Sequence, residues 1–257
     1  TARSQRYCSE LVCRQTPPVT KHLLLINVLV WGISSLLLHT QGFDLDKYLG
    51  LHYVKSPDFN PAQFITYMFM HDNRGIAHIF FNMFSLYMFG GLLEQVFGRK
   101  RYLFYYISTG IGAALIQMLV IYLEINSVEK LLSPEMISAV YTEGAGALEQ
   151  GLNFVNPNMA ELNALINTSV VGASGAVFGI LLAFGMIFPN IPLYIFFIPV
   201  PIKAKYVVIG YGLLELFFGI SGTMSGVAHF AHLGGMIFGL MMILYWKKKG
   251  VIGDRYY

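Results

Sequence analysis

Charge is what this chain has least of. Only 12% of its 257 residues are Asp, Glu, Lys or Arg, roughly half the usual share of a soluble domain. A soluble enzyme of this length would need far more charge to coat its surface, and a disordered chain could not be so apolar. Cysteine is also scarce. Cys8 and Cys13 both precede the first apolar run, which excludes a disulfide or zinc framework. A net charge of +3 is too small to point to a nucleic-acid partner. Internal repeats, low-complexity tracts and heptad runs are absent as well. Apolar residues fill the space, at 55% of the chain with 15% aromatic. That balance leaves an integral membrane protein.

A bilayer core takes about 20 mostly apolar residues per spanning helix. Six stretches meet that need: 23–40, 76–97, 102–123, 169–188, 205–221 and 227–246. The first is not a cleaved signal peptide, because Trp31 and bulky aliphatics stand where a small-residue exit site would be. Residues 191–200 (IPLYIFFIPV) are too short and too proline-rich to span, and read as an interfacial or re-entrant lead into the fifth helix. The expected organisation is a basic N-terminal tail over 1–22, a six-helix transmembrane domain over 23–246 and a basic C-terminal tail over 247–257. The 124–168 connection carries six glutamates, one lysine and two prolines. It is long for a plain loop and has room for a short helix of its own.

Charge sets the orientation, since Lys and Arg collect on the cytoplasmic side. The connections 1–22, 98–101, 189–205 and 247–257 hold 13 of the 17 basic residues, and the opposite set holds four. Ten of the 14 carboxylates lie in that opposite set, and Glu94 and Glu215 fall within spans. Both termini are therefore expected in the cytoplasm, with helices 2, 4 and 6 running from outside to inside. Short connections and the lack of a transit peptide favour a bacterial inner membrane.

Polar residues inside spans each cost free energy and need a reason. Helix 2 carries His78 and Asn82, four apart and on one face. Helix 4 opens with Gly172-Ala173-Ser174-Gly175, and helix 6 with His229 and His232 followed by Gly234-Gly235. Counting at about 1.5 Å per residue puts Ser174 and His232 each about five residues into their helices, with His78 and Asn82 within one or two turns of that level. Gly172, Gly175 and Gly179 make a smooth strip on helix 4, and Gly235 with Gly239 makes one on helix 6. Small residues four apart let helices approach closely in lipid, so packing the strips together would bring Ser174 beside His232. A serine beside a histidine is the minimal activated nucleophile. Asn82, His78 and the Ser174 backbone N–H are the available oxyanion donors. With no aspartate inside the spans to orient the histidine, a Ser–His dyad is expected rather than a full triad. Phe178, one turn after Ser174, is placed to stack on the imidazole.

These residues resemble the rhomboid family of intramembrane serine proteases. Gly172-Ala173-Ser174-Gly175 matches its GxSG nucleophile motif, Ala231-His232-Leu233-Gly234-Gly235 its helix-6 histidine motif, and His78-Ile-Phe-Phe-Asn82 its HxxxN motif. Gly90-Gly91, Glu94 and Gly98 look like its helix 2–3 connection. The likeness covers about 60–246. It implies an all-α membrane protein with a six-transmembrane-helix rhomboid-like bundle, and a serine endopeptidase that cuts single-pass membrane proteins within or near their transmembrane segment. The implied catalytic residues are Ser174 and His232, with His78 and Asn82 at the oxyanion and Phe178, His229 and Gly172 lining the pocket. No cofactor and no metal are implied. The partners would be transmembrane substrates and the lipid bilayer. Two departures are visible: Ala62-Gln63 stand where many members carry a Trp-Arg pair, and Phe178 where tyrosine is frequent.

The residues outside this set read as structural. His229 is expected to face the outer vestibule, His71 to tie down the entry to helix 2, Glu94 and Arg99 to cap and pair near the end of helix 2, and Glu215 to brace helix 5. The alternative in another class is a non-catalytic rhomboid-like scaffold that escorts membrane clients, though such proteins typically lack the serine or the histidine. A metalloprotease built on His78, His229 and His232 would lack both an HExxH helix and a carboxylate at that depth. A transporter would show paired broken helices and an inverted repeat, and neither is seen.

Overall fold

The computed structural model describes residues 16–73, 75–194, 200–222 and 228–252. Cys8, Cys13 and residues 195–199 of the 191–200 segment lie outside the described residues. Six apolar helices form the bundle: α1 (Pro18–Gln41), α2 (Ala77–Phe97), α3 (Arg99–Glu129), α4 (Ser174–Ile187), α5 (Ala204–Ser221) and α6 (His229–Lys248). Among the described residues, five are long and apolar enough to cross a membrane, and α4 is the shorter sixth.

The centre of the bundle is α4, packed between α3 and α6. Nearly every residue of α4 is buried, whereas α1 and α5 bury few of theirs and expose rows of Leu, Ile and Phe. Helices that are apolar all round but meet few neighbours face lipid. With 14 residues, α4 is about 21 Å long, short of a bilayer core of about 30 Å. The sequence reading began this span at 169. Residues 168–173 are instead outside any helix, and irregular backbone at membrane depth is tolerated where protein surrounds it. In contrast, α3 has 31 residues and reaches about 46 Å, so it projects beyond the bundle and takes in the first six residues of the 124–168 connection. The rest of that connection holds two helices, Pro134–Glu149 and Pro157–Asn167. Each opens on a proline and a capping side chain, Ser133 Oγ accepting from Met136 N–H and Asn156 Oδ1 accepting from Asn158 and Met159 N–H.

Two glycine strips set how closely α4 and α6 approach. A Cβ on Gly235 would stand 1.8 Å from the Gly175 carbonyl oxygen, so the two backbones touch and no side chain fits between them. One turn on, a Cβ on Gly239 would meet Tyr105 Oη at 2.4 Å, and Tyr105 Oη–H donates to Gly179 O at 2.8 Å. Gly175, Gly179, Gly235 and Gly239 thus form the seam read from their spacing. Gly172 does not belong to it, because it precedes the helix.

Glu94 departs from its expected partner. It is buried, and its carboxylate accepts from Val19 N–H (3.0 Å), Thr20 N–H (2.7 Å) and Thr20 Oγ1–H (2.8 Å). It therefore satisfies the free N–H groups of α1 rather than pairing with Arg99, and the positive end of the helix dipole favours it there. In the connection between α1 and α2, buried Gln63 accepts from His52 N–H and donates to Tyr48 O and Asp58 O. One amide thereby anchors the loop. Leu51 and Val170 exchange both backbone bonds, at 2.9 and 2.8 Å, which ties this loop to the strand-like lead into α4. A two-residue β1 (Pro192–Leu193) pairs antiparallel with β2 (Ile202–Lys203) at the start of α5.

Gly235→Ala should lower the melting temperature in detergent by several degrees, because overpacking a tight core costs about 1–3 kcal/mol. Gly32→Ala, whose Cβ would meet nothing within 4 Å, should leave it unchanged. Equal melting of the two variants and the parent protein would mean that the seam is not close-packed.

Candidate active site

Ser174 is the first residue of α4, not the fifth. The first bond of the helix runs from Val177 N–H to Ala173 O, at 3.0 Å. The N–H groups of Ser174, Gly175 and Ala176 therefore have no carbonyl one turn back, and they form the positive end of the helix dipole. Just ahead, Gly172 takes φ +130°, a conformation that side chains rarely allow, and its N–H donates to Tyr67 O at 3.0 Å. Tyr67 is itself held by its hydroxyl on Gly110 O at 2.7 Å. The serine thus sits on a turn that α3 and the outer loop fix from behind.

His232 is the fourth residue of α6, and the Gly175–Gly235 contact carries it to the serine. Its Nε2 lies 2.8 Å from Ser174 Oγ. Phe178 lies flat on the imidazole, with ring centroids 4.3 Å apart and planes 6° from parallel. Both the histidine and its neighbour His229 are buried.

The third group at this point is Glu215. Its Oε2 stands 2.9 Å from His232 Nδ1 and 2.6 Å from His229 Nδ1. The bond to His229 is well aligned, whereas at His232 the oxygen stands close to Nδ1 without the alignment of a hydrogen bond. This corrects the expectation that no carboxylate reaches the depth of the histidines. Glu215 precedes the end of α5 at Ser221 by six residues, about 9 Å, and α5 runs opposite to α6. Gly219 lets the two helices close, since its Cβ would meet His229 Cβ at 3.4 Å and the Phe230 ring at 3.0 Å. It also corrects His229, which is 6% exposed and bonded to Glu215 rather than facing an open vestibule. The signal was available: an acid in an otherwise apolar helix, at a countable distance from its end.

His78, the second residue of α2, approaches from the other side. Its Nδ1 accepts from Asp72 N–H at 3.3 Å, which leaves the ring proton on Nε2. A Cβ on Gly172 would stand 2.9 Å from His78 Nε2 and 3.4 Å from Ser174 Oγ. The space over Gly172 is therefore walled by a hydroxyl, a ring N–H and the N-terminus of α4. Asn82, one turn deeper and buried, donates through Nδ2 to His78 O at 2.9 Å; that bond braces α2. His71 was expected only to tie down the entry to this helix. It is fully buried and tilted against His78, centroids 5.2 Å apart. Burial, with His78 alongside, pushes its imidazole down to about 3, so His71 is a neutral wall.

A hydroxyl on an imidazole, an imidazole on a carboxylate and a donor-lined space beside the hydroxyl can together activate and then stabilise an acyl-transfer centre. No curated protein matches the chain. The family model described as the Rhomboid domain matches residues 59–249, the stretch from the outer loop through α6 that builds this site. The chain belongs to the rhomboid family and is an integral membrane protein.

Proposed function

We propose that the protein is an intramembrane serine endopeptidase that cleaves single-pass membrane proteins within or near their transmembrane segment. The observation that carries this reading is the 2.8 Å approach of Ser174 Oγ to His232 Nε2, made by residues 58 positions apart.

His232 takes the Ser174 proton as Oγ attacks the scissile carbonyl, and the resulting oxyanion occupies the space over Gly172. His78 Nε2–H and the Ser174 backbone N–H donate to it there. Collapse of the tetrahedral intermediate breaks the peptide bond, His232 returns the proton to the leaving amine, and the acyl group remains as an ester on Ser174. A water molecule, deprotonated by the same imidazole, then hydrolyses the ester and restores the serine. Glu215 is a positioning residue: its carboxylate faces His232 Nδ1, favours the tautomer with a bare Nε2 and stabilises the imidazolium. The unit is thus a Ser–His pair with a glutamate behind it, rather than the dyad alone. A substrate helix must unwind locally to present its carbonyl, because its peptide groups are already hydrogen-bonded in lipid. Lys and Arg cluster at the opposite ends of the helices, which supports cytoplasmic termini and a site near the outer face.

The decisive experiment is labelling of the detergent-solubilised protein by a fluorophosphonate probe, alongside cleavage of a model single-pass substrate. Ser174→Ala and His232→Ala should each lower cleavage by at least about three orders of magnitude while melting like the parent, and Ser174→Ala should abolish labelling. An unlabelled parent protein that still binds membrane clients would mark it instead as a non-catalytic scaffold. Glu215→Gln should reduce kcat by about 10- to 1000-fold with KM little changed, and Glu215→Asp should recover part of the rate. A purely structural glutamate would change melting and leave that ratio alone. Gly172→Val should cut labelling at least about tenfold, because its side chain fills the oxyanion space and its φ is strained. Unaltered labelling there removes that space from the mechanism.

A further inference from the structure

We propose that Glu215, His229 and His232 form a binding site for a zinc-class divalent cation, and that its occupancy switches the serine centre off. One donor atom from each residue lies within 4.8 Å of the others. Glu215 Oε2 is 2.6 Å from one Nδ1 and 2.9 Å from the other. Ligands around a tetrahedral zinc ion stand about 3.3 Å apart for metal–ligand bonds near 2.0–2.1 Å, so the carboxylate need retreat by only about 0.7 Å from His229 and about 0.4 Å from His232.

The donor chemistry is that of two imidazoles and one carboxylate, which suits Zn²⁺ and leaves a fourth position for water or chloride. His232 Nδ1, on the side of the ring that faces Glu215, is buried without a hydrogen-bond partner among the described residues. Buried polar atoms of that kind call for a further ligand. One carboxylate shared between two imidazoles cannot align with both, and the geometry is resolved once a cation stands among the three. Phe178 and Phe218, in ring contact with His232 and His229 respectively, hold both imidazoles in place for it.

Occupancy would disable the base without touching the nucleophile. A cation that takes the lone pair of His232 Nδ1 leaves the ring proton on Nε2, so Nε2 no longer accepts the Ser174 proton. It also withdraws Glu215 from its place behind the imidazole and ties α5 to α6. Only the switching half rests on the serine-protease reading.

Cobalt(II), a spectroscopic substitute for zinc, should be titrated into metal-free protein in detergent, using the parent chain, Ser174→Ala and His229→Ala. The parent and Ser174→Ala should both develop the visible bands of four-coordinate cobalt, with one ion per chain displaced by Zn²⁺, and His229→Ala should not. Absence of the bands from Ser174→Ala overturns the site, and their persistence in His229→Ala overturns the ligand set. In the second arm, Zn²⁺ should suppress fluorophosphonate labelling of the parent, and EDTA should restore it. His229→Ala, measured against its own zinc-free rate, should need about 100-fold more zinc for the same suppression. Metal binding that leaves labelling untouched defeats the switch alone. A parent protein that is never labelled, with or without metal, defeats the protease reading while the cobalt arm still decides the site. Zinc-dependent cleavage by Ser174→Ala would make the ion an activator and overturn the inhibitory role.

Discussion

The backbone contact between α4 and α6 at Gly175 and Gly235 is the constraint on which the rest of the structure depends. With room for no side chain between them, the two helices lie at the closest separation that van der Waals packing allows. In lipid, where burial of apolar surface gives no drive to helix association, such packing is a principal source of affinity. The contact falls one residue after Ser174 and three residues after His232, so it also sets the serine–histidine distance. A hydrogen bond of 2.8 Å between side chains from separate helices needs a scaffold positioned to a few tenths of an ångström. A glycine seam provides this, because it has no rotamers to rearrange.

Around that contact the protein buries more polarity than a stable bundle requires. Asn82, Glu94, Thr109, His71, His229 and His232 are all buried. Two of the groups that serve the fold are matched at several points. Glu94 meets three donors at the start of α1, and Gln63 uses both ends of its amide. Where polarity gathers near Ser174, matching is incomplete, with Asn82 Oδ1, His229 Nε2 and His232 Nδ1 lacking hydrogen-bond partners among the described residues. Incompletely satisfied groups cost stability, and others lie away from the site, at Asn27 Oδ1, Tyr102 Oη, Tyr106 Oη and Gln117 Oε1.

Much of this was legible in the sequence, for two physical reasons. Lipid forces every spanning backbone into a helix, so apolar length alone locates α2, α5 and α6 to within two residues at each end, and α1 and α3 to within six. Depth counting then works because the rise per residue is fixed. It put His78, Ser174 and His232 at one level, and the glycine spacing said which faces meet. The failures share a cause as well. Apolar runs do not distinguish a helix from a non-helical segment that protein shields from lipid, so α4 was started at 169 and Gly172 was counted on its face. Glu215 was read as a brace because depth was compared among helices 2, 4 and 6, while α5 runs the other way and must be counted from its far end. Glu94 was paired with its sequence neighbour Arg99, when the unpaired N–H groups at the start of α1 were a stronger claim on a carboxylate.

The placement of Glu215 also links chemistry to the least anchored part of the bundle. Of the three side chains in line, Ser174 and His232 stand on helices locked by the glycine seam, but the carboxylate stands on α5, which buries few of its residues. Its approach to α6 is set by a Phe230 ring over Gly219 and by Met236 against Gly212, contacts that yield more readily than backbone on backbone. Any separation of α5 from α6 therefore draws Glu215 off His232 before it disturbs the serine–histidine distance. The imidazole would keep its nucleophile and its stacking partner Phe178, and lose the group that fixes its tautomer. On the proposed mechanism, a site built this way has a rigid half that holds the reacting atoms and a compliant half that sets how basic they are.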